Sequence, residues 1–202
     1  MPKPSHRDQI LASGLGTLFR KGYASAGVRE ITADAGVPLG SFTNHFRSKE
    51  AFALEVVDRY FAHLRDVMAR TLDDESIAPR ERIEAYLDTT TDLMRDAGWR
   101  YGCLVGNMSL EAAEQSEAIR TRLVSIFSDW KKPFARVVKQ AQERGEIRRD
   151  LDPDDVAECL LAGWHGAILR MKVERSPEPL ERFRRVIAAS VLAAPPKQRN
   201  RK

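Results

Sequence analysis

The chain has 202 residues, 43% hydrophobic and 31% charged, with a formal net charge of +4. That length buries a real core in one large or two small domains without disulfides or metals. No apolar run nears the ~18 residues of a membrane span, and no apolar stretch follows Met1-Pro2-Lys3-Pro4-Ser5-His6 to mark a secretion signal. The two distant cysteines, Cys103 and Cys159, fit neither a zinc site nor a disulfide framework. The expectation is a cytoplasmic protein without cofactor, metal or membrane partner. Residues 1–50 hold seven basic and four acidic side chains, 51–196 sum to −3, and the tail Pro195–Lys202 adds four cations and no acid. The N-terminal segment therefore carries a modest positive field of the kind phosphate binding uses. The tail reads as disordered, with non-specific attraction to DNA as the other reading.

Helical periodicity runs through the chain, and no stretch alternates with period two. Ile10, Leu11, Leu15, Leu18 and Phe19 form one face of a first helix that stops at Gly22. Short helices follow from about Val28 to Ala35 and Pro38 to His45. Ser48 then offers an N-cap to a helix reaching Leu72, with Phe52, Val56, Tyr60 and Leu64 at four-residue spacing. Beyond the break at Ile77-Ala78-Pro79, a fifth helix runs to Arg95. A sixth covers Gly102 to Glu114, and a long seventh runs from Glu117 to Arg144. Asp152-Pro153-Asp154-Asp155 is an acidic, proline-bearing start for an eighth, reaching Glu174. A ninth follows Ser176-Pro177-Glu178-Pro179 and ends near Ala194.

Residues 28–49 carry the sharpest signal. Two short helices meet at Ala35-Gly36-Val37, where glycine supplies the positive φ of a tight turn. Ile31, Val37, Phe42 and Phe46 then face inward, and Leu39, Ser41, Thr43, Asn44 and His45 lie on or near the outward face. Asn pairs with adenine, Ser and Thr reach bases or phosphates, and an apolar side chain meets a thymine methyl. Arg29 and Lys49 flank the pair near helix starts, where amides also face phosphates. On physical grounds alone, a helical hairpin that merely packs fits the same pattern.

Residues 7–60 resemble the DNA-binding domain of the TetR family. The likeness rests on Phe19-x-x-x-Gly22-Tyr23, Val28-Arg29-Glu30-Ile31, Ala35-Gly36-Val37 and Gly40-Ser41-Phe42-x-x-His45-Phe46-x-Ser48-Lys49-Glu50. It implies an all-α fold: a three-helix helix-turn-helix domain over 1–50, a six-helix effector-sensing and dimerisation domain over 51–194, and a basic tail over 195–202. It implies a homodimeric repressor on double-stranded operator DNA, released by a small-molecule effector. The DNA contacts carried over are Arg29, Leu39, Ser41, Thr43, Asn44, His45 and Lys49. Leu39 stands where lysine is frequent, Thr43 where tyrosine meets a phosphate, and Thr32 where alanine is common. Ala26-Gly27 replaces the usual Thr or Ser, so fewer phosphate contacts are implied.

In the remainder, Val156, Leu160, Trp164, Ile168 and Met171 form one apolar face, and Leu180, Phe183, Ile187 and Val191 another. Two such helices per subunit make the four-helix dimer interface implied by the resemblance, or both faces are internal core. Trp99, Tyr101, Phe127, Trp130, Phe134 and Trp164 line an apolar pocket or pack as plain core. Cys103, at the opening of the sixth helix behind Arg100, meets the positive end of a helix dipole, which favours the thiolate. Gly102-Cys103-Leu104-Val105, Ser109-x-Glu111 and Lys172-x-x-Arg175-Ser176-x-Glu178-Pro179-Leu180 are similar to the N-ethylmaleimide-responsive repressor subgroup. By that resemblance Cys103 takes the position of an electrophile and oxidant sensor, and Lys172 matches a lysine whose ammonium would stabilise the thiolate. The alternative is a non-covalent apolar effector, with Cys103 only packing. Cys159, beside Leu160 and Leu161, reads as core. His63 and His165 have no metal-ligand spacing, and no Gly-rich phosphate loop or Gly-x-Ser-x-Gly appears, so an enzyme is not expected. A DNA-binding structural protein without effector would not need about 140 residues of amphipathic helix.

Overall fold

A computed structural model of the chain describes residues 5–193; the basic tail lies outside the described residues. Among the described residues there are nine helices and no strand: α1 His6–Ser25, α2 Val28–Asp34, α3 Leu39–His45, α4 Lys49–Thr71, α5 Pro79–Asp96, α6 Leu104–Glu111, α7 Glu117–Glu143, α8 Pro153–Glu174 and α9 Glu178–Ala189. Contacts gather into two compact units, residues 5–64 with 101–126, and 65–100 with 127–193.

Local chemistry accounts for the ends. Ser5 caps α1 by accepting from the Asp8 amide, Ser48 accepts from Ala51 N–H at 3.0 Å, and Asp152 accepts from the amides of Asp154 and Asp155. The turn between α2 and α3 passes through Gly36 at φ 65°, as the sequence predicts. α1 does not simply stop at Gly22. It breaks there, at φ 77° and ψ 172°, and resumes for one short turn to Ser25. α6 is shorter than expected, beginning at Leu104 with Cys103 as its N-cap, and α9 ends at Ala189.

In the first unit, Ile10, Leu11, Leu18, Ile31, Val37, Phe42 and Phe46 are buried. Phe52, from the next turn of α4, completes a ring cluster with Phe42 and Phe46 at centroid distances of 5.2–5.4 Å. Each such aromatic pair contributes about 0.5–1.5 kcal/mol beyond burial. Thr17 Oγ1 donates to Asp34 at 2.8 Å, Arg20 pairs with the same carboxylate, and Lys21 Nζ meets Glu30 at 2.5 Å, all joining α1 to α2.

In the second unit the core is aromatic. Tyr86 stands edge-on to Phe134 at 4.9 Å, and its hydroxyl accepts the Trp130 indole N–H at 2.9 Å. Val156, Leu160, Trp164, Ile168 and Met171 are all buried, so the α8 face read from the sequence is internal core; on α9 Leu180 and Ile187 are buried while Phe183 and Val191 are half-buried. The outward stripe of α8 is a different one: Cys159, Ala162, Gly166, Leu169 and Val173. Leu169 is 48% exposed, Val173 76%, and Val186 on α9 58%.

Candidate nucleic-acid interface and sensor cysteine

The seven-residue α3 is held from behind by its Phe42 and the following Phe46, which leaves Leu39, Thr43, Asn44 and His45 exposed. Leu39 is 46% exposed, an apolar side chain with no core to fill. The Asn44 amide makes no hydrogen bond among the described residues, whereas Thr43 Oγ1 donates to Gly40 O at 3.0 Å. Arg29, at the start of α2, is exposed and makes no ion pair among the described residues.

Two expected contacts sit differently. Ser41 is 9% exposed rather than outward, and its Oγ is hydrogen-bonded to His6 Nδ1 at 3.0 Å. The partner comes from the first turn of α1, so Ser41 fastens α3 to α1. Lys49 is half-buried, with its Nζ donating to Ala24 O at 3.1 Å and lying 4.8 Å from the Tyr23 ring centre. Burial holds the Lys49 ammonium below its ordinary pKa. Burial, then the neighbouring Glu50 carboxylate, pushes the Tyr23 phenol up.

Cys103 is buried at 5% exposure and in no disulfide. Its backbone is extended, and its carbonyl accepts the Asn107 amide at 2.9 Å, as an N-cap carbonyl does. Leu104, Val105 and Met108 bury the inner face of α6, which packs against α1. The rings of Phe19 and Tyr101 meet at 5.6 Å, and Tyr23 N–H donates to Glu111 Oε2 at 2.6 Å. The sequence reading did not single out Glu111 as a functional residue. It appears there only in the Ser109-x-Glu111 motif, inside a helix expected to reach Glu114; the structure ends α6 at Glu111, where the dipole disfavours negative charge.

Lys172 is half-buried in the last turn of α8, in the second unit, while Cys103 belongs to the first. Cys159, expected in the core, is exposed. Of the aromatic residues considered for a pocket, Trp130, Phe134 and Trp164 are core, at 1–2% exposure. A cavity of about 280 Å³ in the second unit is lined instead by Glu75, Arg82, Gln140, Glu143 and Arg144. The described residues contain no group of three or more His, Cys, Asp or Glu side chains placed for a metal ion, and no helix long and apolar enough to cross a membrane.

A short helix-turn-helix with an uncommitted polar face, ahead of a larger helical body, defines a DNA-binding regulator. Residues 10–56 match the model for bacterial regulatory proteins of the tetR family, and 79–187 match the tetracyclin repressor-like C-terminal domain. The chain belongs to the TetR family and is a transcriptional repressor of that type, a regulator and not an enzyme. It is 41% identical to the HTH-type transcriptional repressor DhaR of Mycobacterium sp. strain GP1, over 95% of each chain. It is 33% identical to the HTH-type transcriptional repressor NemR of Escherichia coli K12, covering 87% of this chain and 88% of that one. The crystal structure of E. coli NemR in its reduced form superposes with a TM-score of 0.84, at 30% identity over 95% and 98% of the two chains. A regulatory protein TetR from Rhodobacter sphaeroides superposes at 0.88, with 35% identity over 92% and 98%.

Proposed function

We propose that this repressor leaves its operator when a small electrophile or oxidant modifies Cys103, and that it acts in the cytoplasm as a homodimer. The observation that carries the proposal is the placement of the thiol. Cys103 caps α6, is almost wholly buried, and starts the helix that packs on α1 of the DNA-binding head. Close-packed interiors answer added volume by discrete shifts, so an adduct there displaces α6 against the head. The likeness to NemR, which has been solved in a reduced form, supports the same reading.

With N-ethylmaleimide the chemistry is an addition. The Cys103 thiol gives up its proton to water, its sulfur forms a bond to an alkene carbon, and the alkene pair passes to the carbonyl as an enolate that water protonates. Base contacts come from Leu39, Thr43, Asn44 and His45, with Arg29 on the backbone. The dimer face comes from the outward stripe of α8 with Val186 of α9.

The test is release of operator DNA by N-ethylmaleimide. Because Cys159 is exposed, it will be alkylated too, so the work needs both single variants. Cys159→Ser is expected to release like the wild type, and Cys103→Ser to bind normally and resist release. Should Cys103→Ser release as readily as the wild type, Cys103 is only packing and the effector is a non-covalent ligand.

A further inference from the structure

Glu111 stands 88 positions from Tyr23, and its carboxylate accepts the Tyr23 amide at 2.6 Å. That amide is available because Gly22 breaks α1. Its φ of 77° with ψ of 172° lies in a region that essentially only glycine occupies. The same glycine leaves the space the carboxylate fills, since a Cβ at Gly22 would stand 2.1 Å from Glu111 Oε2. Just beyond the break, Ala24 O holds the Lys49 ammonium and the Tyr23 ring lies under it. Lys49 is the first residue of α4, four positions past the last residue of α3. A second tie accompanies it: Ser116 Oγ, which caps α7 by accepting from Ile119 N–H at 3.1 Å, is hydrogen-bonded to Glu50. Glu111 itself sits at the negative end of the α6 dipole, a placement that helix stability alone disfavours.

We infer that Glu111 is a positioning residue for operator binding, its carboxylate seating the broken end of α1 and, through Tyr23, Ala24 and Lys49, the start of α4 behind the recognition helix. The inference deepens the proposed regulation, because α6 carries Cys103 at one end and this carboxylate at the other. A displacement of α6 then reaches the reading head through this hydrogen bond as well as through the packing of α6 on α1, without either cysteine touching DNA. Its dependence on the Cys103 reading is confined to that last link; the role of Glu111 in unmodified protein stands apart from it.

The experiment compares full-length wild type with Glu111→Ala and Glu111→Gln. It measures affinity for the protein's own operator and for random duplex, amide exchange at Tyr23, and the thermal midpoint. Losing a hydrogen bond to a charged acceptor is expected to weaken operator binding by about tenfold or more in Glu111→Ala. Random-duplex binding should be unchanged, Tyr23 exchange faster, and Glu111→Gln, which keeps a carbonyl acceptor, should recover most of the loss. Merely structural support would lower the thermal midpoint and both DNA affinities together, which overturns the inference. Wild-type operator affinity in Glu111→Ala, or unchanged Tyr23 exchange, overturns it as well. Wild-type protein treated with N-ethylmaleimide supplies the separate arm. If Cys103→Ser still releases DNA, the sensor reading fails while the Glu111 comparison keeps its own outcome.

Discussion

Replacing Val173 by glutamate tests which face of the molecule meets its partner. Val173 is 76% exposed in the single chain, Leu169 48% and Val186 58%. Fully burying a Val or Leu side chain is worth about 1.5–3 kcal/mol, so covering what remains open at Val173 contributes about 1–2 kcal/mol. A two-fold interface counts that contribution twice. Val173→Glu therefore removes about 2–4 kcal/mol of dimer stability, roughly thirty- to a thousand-fold in the dissociation constant, before the added carboxylate is desolvated. Sedimentation velocity across a dilution series, with far-UV circular dichroism to show that the chain stays folded, reads this directly. Operator affinity should fall with dimerisation, since one half-site offers too few contacts. A Val173→Glu protein still dimeric at low micromolar concentration, with wild-type operator affinity, refutes the α8 stripe as the interface.

Asn44→Ala should weaken operator binding by about 1–3 kcal/mol and relax discrimination at one base pair, measured by competition against a set of single-base operator variants. Phe52→Ala removes a wholly buried ring that touches both Phe42 and Phe46, and should cost about 3–5 kcal/mol in urea denaturation.

The helix-turn-helix was legible because its signals are local. Gly36 marks its turn, Ser48 its exit cap, and Phe42 and Phe46 its inward side, all within one or two helical turns. Ser41 was misplaced because its burial depends on His6, 35 positions upstream, which no periodicity in α3 reports. α8 posed another difficulty, being apolar on more than one side. Leu160 and Ile168 make as good a stripe as Leu169 and Val173, and only the packing of α7 and α9 around α8 decides which is core. The same decision turned Cys159 outward. Lys49 looked like a phosphate ligand by position, and only the fold shows its ammonium engaged with Ala24. The Glu111 contact with Tyr23 joins residues too far apart in the chain for any window to connect.

The outward stripe of α8 also bears on how such a regulator stays distinct from its paralogues. Cys159, Ala162 and Gly166 keep one half of the stripe shallow, while Leu169 and Val173 raise the other half. On the proposed two-fold seam each position of the stripe meets a different position of the second copy and the exchange is reciprocal, so the surface must be complementary to itself. A related chain with a bulky side chain in place of Gly166 would hold the two helices apart and lose the contacts farther along. If the α8 stripe is the seam as proposed, mixed dimers would be disfavoured by shape.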